Sequence, residues 1–251
     1  MNLNTNGEVL FKVLFQMCYG PEIEQIYNVI AQRPGITLMD LKTKFQYREE
    51  GDISSLIESV LVFLSELNMI DSEEGQYRAS EREWSTIELL KRFQQLAKEE
   101  QKDSLNYVFC TIYEQLFVKP NKLFITNMHY PLNRDYERTL IGHEKINAWK
   151  RMMECFGLGR RVYSGFYALP HLPLLKNLVE YLGPWEGPLH QYCEEKINPI
   201  LPCVTSEGHI FNGVLYGLFY LGEKKQIKID HKQDLPYKSY GQKHEWNWIA
   251  V

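Results

Sequence analysis

The strongest constraint on the fold is the order in which helical and extended patterns follow one another along the 251-residue chain. In residues 21–79, three stretches carry apolar residues at helical spacing, and a short extended pattern follows them. Residues 33–35 end the first stretch, and Thr37 and Asp52 are suited to cap the second and the third. A turn falls in residues 71–75. The segment is therefore predicted to fold as three helices followed by a β-hairpin.

The same order of patterns returns near the C-terminus. Apolar stripes predict three helices, over residues 172–182, 188–196 and 207–221. Residues 224–230 alternate like an edge strand, residues 231–233 suit a turn, and residues 235–240 are expected to form the return strand. Residues 246–251 are unusually apolar for a terminus, so we expect them to pack on this domain or on a partner.

The middle of the chain is predicted to be helical at first and then to repeat part of the pattern. Residues 84–102 and 105–117 indicate two helices. A later helical stripe ends at Gly157 or Gly159, and residues 160–167 are strand-like. This order of helix, glycine and strand allows a further, degenerate copy of the same unit.

Three helices followed by a hairpin resemble the winged helix-turn-helix family. The fold class is therefore expected to be mostly α with small β-hairpins, in which tandem winged helix-turn-helix units are joined by a helical middle. We expect an acidic winged-helix unit in residues 1–80, a helical connector in residues 81–130 and a basic winged-helix region in residues 131–251. Such domains bind DNA, RNA or other proteins, so the resemblance predicts the fold better than the function.

Tandem winged-helix accessory subunits of chromosome-structuring ATPases are similar to this chain in outline. They include the KITE proteins and the small subunits of SMC-based bacterial defence systems such as Lamassu. The resemblance implies a non-catalytic subunit with an SMC-type ATPase as its protein partner and, for the defence systems, a role in antiviral defence. It rests on architecture, and no residue roles are carried over from these proteins.

The charge of the first winged unit favours a protein partner over DNA. Residues 21–79 contain five basic and eleven acidic residues, and the predicted third helix has no Lys or Arg. Such a surface repels a phosphate backbone, whereas a DNA-reading helix needs basic and amide side chains. The candidate protein-docking residues are Glu58, Glu66, Glu73 and Glu74. The alternative is a solvated acidic face around a structural domain.

The second half of the chain has the opposite charge. The formal net charge of the whole chain is -4, yet residues 118–251 contain 17 basic and 13 acidic residues. The candidate nucleic-acid-binding residues are Lys150, Arg151, Arg160, Arg161, Lys224, Lys225, Lys228 and Lys232. A basic wing binds phosphates without reading sequence. Two alternatives remain, since lysines also protect edge strands from aggregation, and the aromatic residues beside Arg160 either stack on bases or face a core.

The sequence contains no catalytic motif that we recognise, and we expect neither an enzyme nor a cofactor. It has no phosphate-binding glycine loop, no nucleophile elbow and no H-E-x-x-H or C-x-x-C motif. The residues that most resemble a metal site are His190, Cys193, Cys203 and His209. Their spacing departs from that of zinc knuckles, so we favour buried cysteines and ordinary histidines and expect no metal.

The expected function is that of a non-catalytic adaptor subunit of a multiprotein complex acting at DNA. Its N-terminal half would dock a protein, and its C-terminal half would lie near nucleic acid. The alternatives are a winged-helix transcriptional regulator and a metal-dependent nuclease whose degenerate site would use Glu223 and Lys225. The five cysteines, the polar N-terminus and the lack of a long apolar stretch favour the cytoplasm over secretion or a membrane.

Overall fold

The computed structural model describes residues 9–11, 20–46, 51–102, 104–136, 140–233 and 237–251. Within these residues the chain is mostly helical and forms three antiparallel sheets of three strands each. Residue contacts divide the chain into two units. Unit 1 comprises residues 1–111 and 129–156, and unit 2 comprises residues 112–128 and 157–251. The predicted division at residues 80 and 130 stays a prediction.

The first copy of the winged-helix pattern lies in unit 1. Its elements are α1 (Pro21–Gln32), β1 (Ile36–Thr37), α2 (Leu38–Phe45), α3 (Ser54–Glu66), β2 (Ile70–Glu73) and β3 (Gln76–Ala79). The strands are ordered β1-β3-β2, so the last strand is central. The three predicted helices and the predicted hairpin are confirmed, and β1 is an additional two-residue strand.

Local sequence explains how these elements begin and turn. Thr37 caps α2 as predicted, because its Oγ1 accepts a hydrogen bond from the backbone N–H of Asp40 at 3.2 Å. The Asp40 carboxylate accepts the backbone N–H of Thr37 at 3.0 Å, which completes a capping box. Glu74 and Gly75 both have positive φ and form the two-residue turn between β2 and β3.

The core of the first copy consists of the predicted apolar stripes. Ile23, Ile26, Tyr27 and Ile30 of α1 are almost completely buried. Leu64 of α3 is fully buried as well, and so is Phe63, which the predicted stripe did not include. Helix α4 (Thr86–Glu99) follows, and Ser85 caps it by accepting the backbone N–H of Glu88. The burial of these apolar side chains shows that helical periodicity identifies the buried face of α1 and α3.

The second copy has the same order of elements. It comprises α5 (Leu105–Tyr113), which continues into a π-helical turn (Glu114–Val118), and then β4 (Phe124–Ile125), α6 (His129–Asp135), α7 (His143–Cys155), β5 (Arg160–Val162) and β6 (Gly165–Tyr167). The strands are ordered β4-β6-β5, so the last strand is again central. The sheet belongs to unit 2, whereas α6 and α7 belong to unit 1.

The third copy lies in unit 2. It comprises α8 (Leu172–Leu182), β7 (Glu186–Pro188), α9 (Leu189–Tyr192) with a π-helical turn (Cys193–Ile197), α10 (Asn212–Glu223), β8 (Lys228–Asp230) and β9 (Trp248–Ala250). Its strand order, β7-β9-β8, matches the other two sheets. The same connectivity therefore occurs three times, as expected for tandem winged helices.

The C-terminal hairpin differs from its sequence prediction. The expected return strand at residues 235–240 is wrong, because β8 pairs with β9, whose register joins Ile229 to Ile249. Part of the expected strand, residues 234–236, lies outside the described residues. The apolar end of the chain is instead the central strand of its sheet, and Ile249 is fully buried. Helix α10 also begins later than predicted, at Asn212.

None of the helices in the described part of the chain is both long enough and apolar enough to span a lipid bilayer.

Two glycines of α10 provide a test of the third copy. A Cβ added to Gly213 would lie 2.6 Å from the carbonyl oxygen of Ala168 and 2.5 Å from the Phe211 ring, so backbone must move. A Cβ at Gly222 would make ordinary contacts of at least 3.6 Å with Ile229. We expect Gly213→Ala to destabilise the protein by about 1–3 kcal/mol. Gly222→Ala should be neutral or stabilising by up to about 1 kcal/mol, since alanine favours helix.

Urea unfolding of the two variants and the wild type measures the difference. Equal midpoints for the two variants would contradict the close packing of α10 against the segment that follows β6.

Candidate docking and nucleic-acid surfaces

The exposed face of α3 in unit 1 carries both polar and apolar side chains but no Lys or Arg. Ser55, Glu58, Val62 and Ser65 are exposed along this helix, and Val62 retains 37% of its accessible surface. The carboxylate of Glu58 lies 3.3 Å from the ammonium of Lys42 on α2. In a DNA-reading winged helix this face would enter the major groove. Its lack of Lys and Arg makes it a poor match for phosphates.

The first hairpin follows α3 in the sequence, and its turn adds negative charge to this unit. Glu73 and Glu74 are both exposed, and Glu74 occupies a left-handed turn position at φ 51. Glu73 lies 3.8 Å from Arg78, and both side chains are mostly in solvent. Such a pair contributes little to stability, so the acids remain available to a partner.

Glu66 is placed differently from the other candidate docking acids. Its side chain is half-buried, and its Oε1 accepts a hydrogen bond from Nδ2 of Asn106 at 2.6 Å. The same amide nitrogen donates to Glu100 Oε1 at 3.0 Å. The Oδ1 of Asn106 accepts the backbone N–H of Leu10 at 3.0 Å, and Asn106 is fully buried. Glu66 therefore belongs to an internal network, and we omit it from the docking surface proposed below.

The network also changes the ionisation of Glu66. Burial raises the pKa of this carboxyl above its usual value. The hydrogen bond from Asn106 opposes the rise, and the nearby charge of Glu100 adds to it.

The basic residues of α7 differ from one another in exposure. Lys150 is only 6% exposed, so its side chain is not on the surface that a phosphate backbone could reach. Arg151, the next residue, is half-exposed. Helical phase accounts for the difference, because Trp149, Lys150, Met152 and Met153 all fall on the buried side.

The second hairpin presents the other predicted arginines. Arg160 and Arg161 are both exposed on β5, and Tyr163 follows at the turn. Tyr163 has 99% of its surface exposed and is one of the aromatic residues beside Arg160 that were expected either to stack on bases or to face a core. Its position in a two-residue turn between two short strands explains why it faces solvent.

The lysines of the third copy lie at the end of α10 and on its wing. Lys224, Lys225, Lys228 and Lys232 are all exposed. The Lys224 ammonium lies 5.1 Å from the centre of the Tyr220 ring, and that of Lys232 lies 5.7 Å from the Trp248 ring. Lys228 is paired with Asp230 at 3.3 Å. Lys224 and Lys232 thus lie near aromatic rings, and Lys228 pairs with a carboxylate. All these partners are themselves at least partly exposed, so the ammonium groups remain accessible to phosphates.

The exposed face of α10 is aromatic. Tyr216 and Tyr220 are 50% and 41% exposed, and they are separated by one helical turn. Lys225, Lys228, Phe219 and Trp246 line a groove of 680 Å³ beside the helix. Among the described residues of this helix none is Lys or Arg, so sequence readout in a major groove has little support here.

The geometry around the suspected zinc residues favours buried thiols. Cys193 and Cys203 are fully buried, and Cys203 Sγ donates to the carbonyl oxygen of Cys193 at 3.3 Å. Burial raises the pKa of both thiols, which disfavours the thiolate that zinc requires. His190 Nδ1 lies 2.5 Å from the Tyr240 hydroxyl. No group of three or more His, Cys, Asp or Glu side chains in the described ranges is arranged to hold a metal ion.

The two residues of the nuclease hypothesis lie outside the strands. Glu223 is the last residue of α10, and Lys225 follows it at φ 59 in the turn before β8. A nuclease of this type needs its acids and lysine on adjoining strands. The position of Glu223 and Lys225 therefore gives the hypothesis no support.

Comparison with known protein families, with curated proteins and with solved structures finds no match to this chain. What the protein does must accordingly be inferred from its own surfaces.

Substitution of Glu66 tests the internal network. We expect Glu66→Gln to raise the melting temperature at pH 7 by roughly 1–3 °C, because the amide keeps an acceptor oxygen and removes a charge that burial disfavours. A carboxyl whose pKa is raised by folding stabilises the protein below that pKa and loses this contribution as the pH rises through it. The advantage of the variant should therefore shrink as the pH falls from 7 towards about 5.

Thermal unfolding followed by circular dichroism at both pH values measures this effect. Glu83→Gln, at an exposed position of the same unit, serves as the control. A Glu66→Gln variant that is less stable than the wild type at pH 7 would contradict the assignment.

Proposed function

We propose that this protein is a non-catalytic adaptor subunit of a multiprotein complex that acts at DNA. In this proposal the first winged unit docks a protein, and the wing of the third copy lies against the phosphate backbone. The observation that carries the proposal is the contrast between two hairpins of the same connectivity. The first exposes Glu73 and Glu74, whereas the third is surrounded by Lys224, Lys225, Lys228 and Lys232.

The face of α3 supports protein docking in the first unit. Glu58 and the hairpin acids would repel a phosphate backbone, and the exposed Val62 offers apolar surface to a protein. Met39 on α2 is 71% exposed and adds a flexible apolar side chain to the same unit. A mixed acidic and apolar surface of this kind suits a partner with basic and apolar side chains.

The third wing supports backbone contact with DNA rather than sequence readout. Its lysines are exposed, and ammonium groups on flexible stems bind phosphates as point charges. The adjoining helix α10 presents Tyr216 and Tyr220 in place of arginine or amide side chains. The specific duplex binding that a transcriptional regulator requires is therefore the weaker hypothesis.

The partner class is proposed from the resemblance in outline described above. A tandem winged-helix subunit without catalytic residues would fit an SMC-type ATPase as its partner, and a defence system of the Lamassu kind as one setting. This part of the proposal is independent of which surface the partner covers.

The DNA contact is tested by charge reversal in the third wing. We expect Lys224→Glu combined with Lys228→Glu to weaken duplex binding by about tenfold or more and to reduce its salt dependence, because each phosphate contact releases counterions. Fluorescence anisotropy with a labelled duplex over a salt series measures both quantities. Lys176→Glu combined with Lys196→Glu changes the net charge equally at exposed sites of the same unit. Equal losses of duplex affinity in the two double variants would show that binding depends on the net charge of the protein and not on a contact at this wing.

The protein-docking face is tested with the native complex. We expect Glu73→Lys combined with Glu74→Lys to reduce the amount of stoichiometric partner that copurifies with the full chain, because the substitutions reverse the charge of the hairpin. Mass spectrometry of the purified complex measures this amount. Glu180→Lys combined with Glu186→Lys is the charge-matched control in unit 2. Purification of the wild type as a lone monomer would overturn the adaptor proposal.

A further inference from the structure

The sheet of the second copy has an outer face with aromatic and basic side chains. In its register Phe124 of β4 lies opposite Tyr167 of β6, and Tyr167 lies opposite Arg160 of β5. Directly opposed residues of an antiparallel sheet share one face, so these three side chains form a row. The next row contains Phe166, which is fully buried, so it lies on the inner face. The row with Phe124 and Arg160 is therefore on the outer face.

Gly165 allows the Phe124 ring to cover part of this outer face. A Cβ built on Gly165 would lie 2.9 Å from two atoms of the Phe124 ring and 2.5 Å from the carbonyl oxygen of Ile125. Any side chain at this position would therefore displace the ring from its place across β6. Phe124 nevertheless keeps 42% of its surface exposed. One side of the Phe124 ring thus packs over Gly165, and part of the ring remains open to solvent.

Tyr163 is a further exposed aromatic residue, at the turn of the same hairpin. The turn has two residues, because Val162 pairs with Gly165. Tyr163 has φ 52, a conformation that bulky side chains rarely adopt, and its side chain is 99% exposed. The Ser164 hydroxyl donates to the carbonyl oxygen of Thr126 at 3.4 Å, which attaches the turn to the segment after β4. An aromatic side chain kept in solvent at an unfavourable backbone position indicates a binding role.

The chain segments that contain the three strands of this sheet carry only positive charges. Residues 118–128 and 157–179 contain no Asp or Glu. Lys122, Arg160 and Arg161 are exposed within these segments. Aromatic rings beside cations, with no acid in these segments, match the chemistry of a nucleotide, which has a flat base and a negative phosphate. The carboxylates of an acidic protein surface would match only the cations, because they offer no flat ring for Tyr163 and Phe124 to stack upon.

We propose that the outer face of the second sheet binds single-stranded nucleic acid. Unpaired bases stack on Tyr163 and Phe124, and Arg160 and Lys122 contact the adjoining phosphates. The bases of a duplex are stacked on their neighbours and leave no free face for these rings, so the ligand is an unpaired strand. This inference rests on the proposed function, because it adds a second nucleic-acid contact in unit 2 to the proposed duplex contact of the lysine wing.

The test compares single strands with a duplex on the full-length protein. Fluorescence anisotropy is measured with a dT homopolymer, an rU homopolymer and a blunt duplex of equal length. We expect Tyr163→Asn to weaken binding of the single strands by about tenfold, the loss typical of one stacked base, and to leave duplex binding unchanged. Asparagine tolerates positive φ, so this variant removes the ring without straining the turn. Tyr163→Trp should retain binding, because it keeps a stacking surface.

Further variants separate stacking from charge and from misfolding. Arg160→Ala should lower the salt dependence of single-strand binding. Tyr130→Ala removes another exposed tyrosine, from α6, and should have no effect. The ratio of the dT and rU affinities distinguishes DNA from RNA as the source of the strand.

Two results would overturn the inference. One is single-strand binding that Tyr163→Asn leaves unchanged, and the other is loss of a copurifying protein from that variant with single-strand binding intact, which would make this face a protein surface. The proposed function is decided by separate results. It fails if the wild type purifies as a lone monomer, and its DNA contact fails if reversal of Lys224 and Lys228 leaves duplex binding unchanged.

Discussion

Each of the three copies depends on the pairing of its last strand in the centre of a sheet. β3, β6 and β9 each pair on one side with the strand before them and on the other with a short strand that precedes the second helix. A two-stranded hairpin alone is only marginally stable in water. The short strand of each copy (β1, β4 or β7) therefore supplies a second set of backbone hydrogen bonds, and these bonds stabilise the hairpin.

The helices were predictable because burial imposes a strong period on the sequence. Ile23, Ile26 and Ile30 of α1 are buried on one side, as their spacing indicates. The hairpin of the first copy was predictable because turn residues mark it, as Glu74 and Gly75 do between β2 and β3. β1 has only two residues, which is too short for an alternating pattern. β9 begins at residue 248 although β8 ends at residue 230, so the rule that a return strand follows a short turn misplaced it.

The candidate surfaces show the same division between local and long-range information. The sign of the charge on each hairpin follows from residues that are close in sequence, such as Glu73 and Glu74. The burial of Lys150 follows from the phase of α7, which a list of basic residues does not take into account. The role of Glu66 depends on Asn106, which is 40 residues away in sequence. A partner at that distance can be identified only once the fold has brought the two side chains together.

One scaffold repeated with different exposed side chains has a functional consequence. The first hairpin exposes two acids at its turn, the second exposes Tyr163 beside Arg160 and Arg161, and the third is surrounded by lysines. Each of these exposed groups is able to contact a different partner. The repetition of the fold and the divergence of its exposed residues therefore support the proposal that this protein holds other macromolecules together.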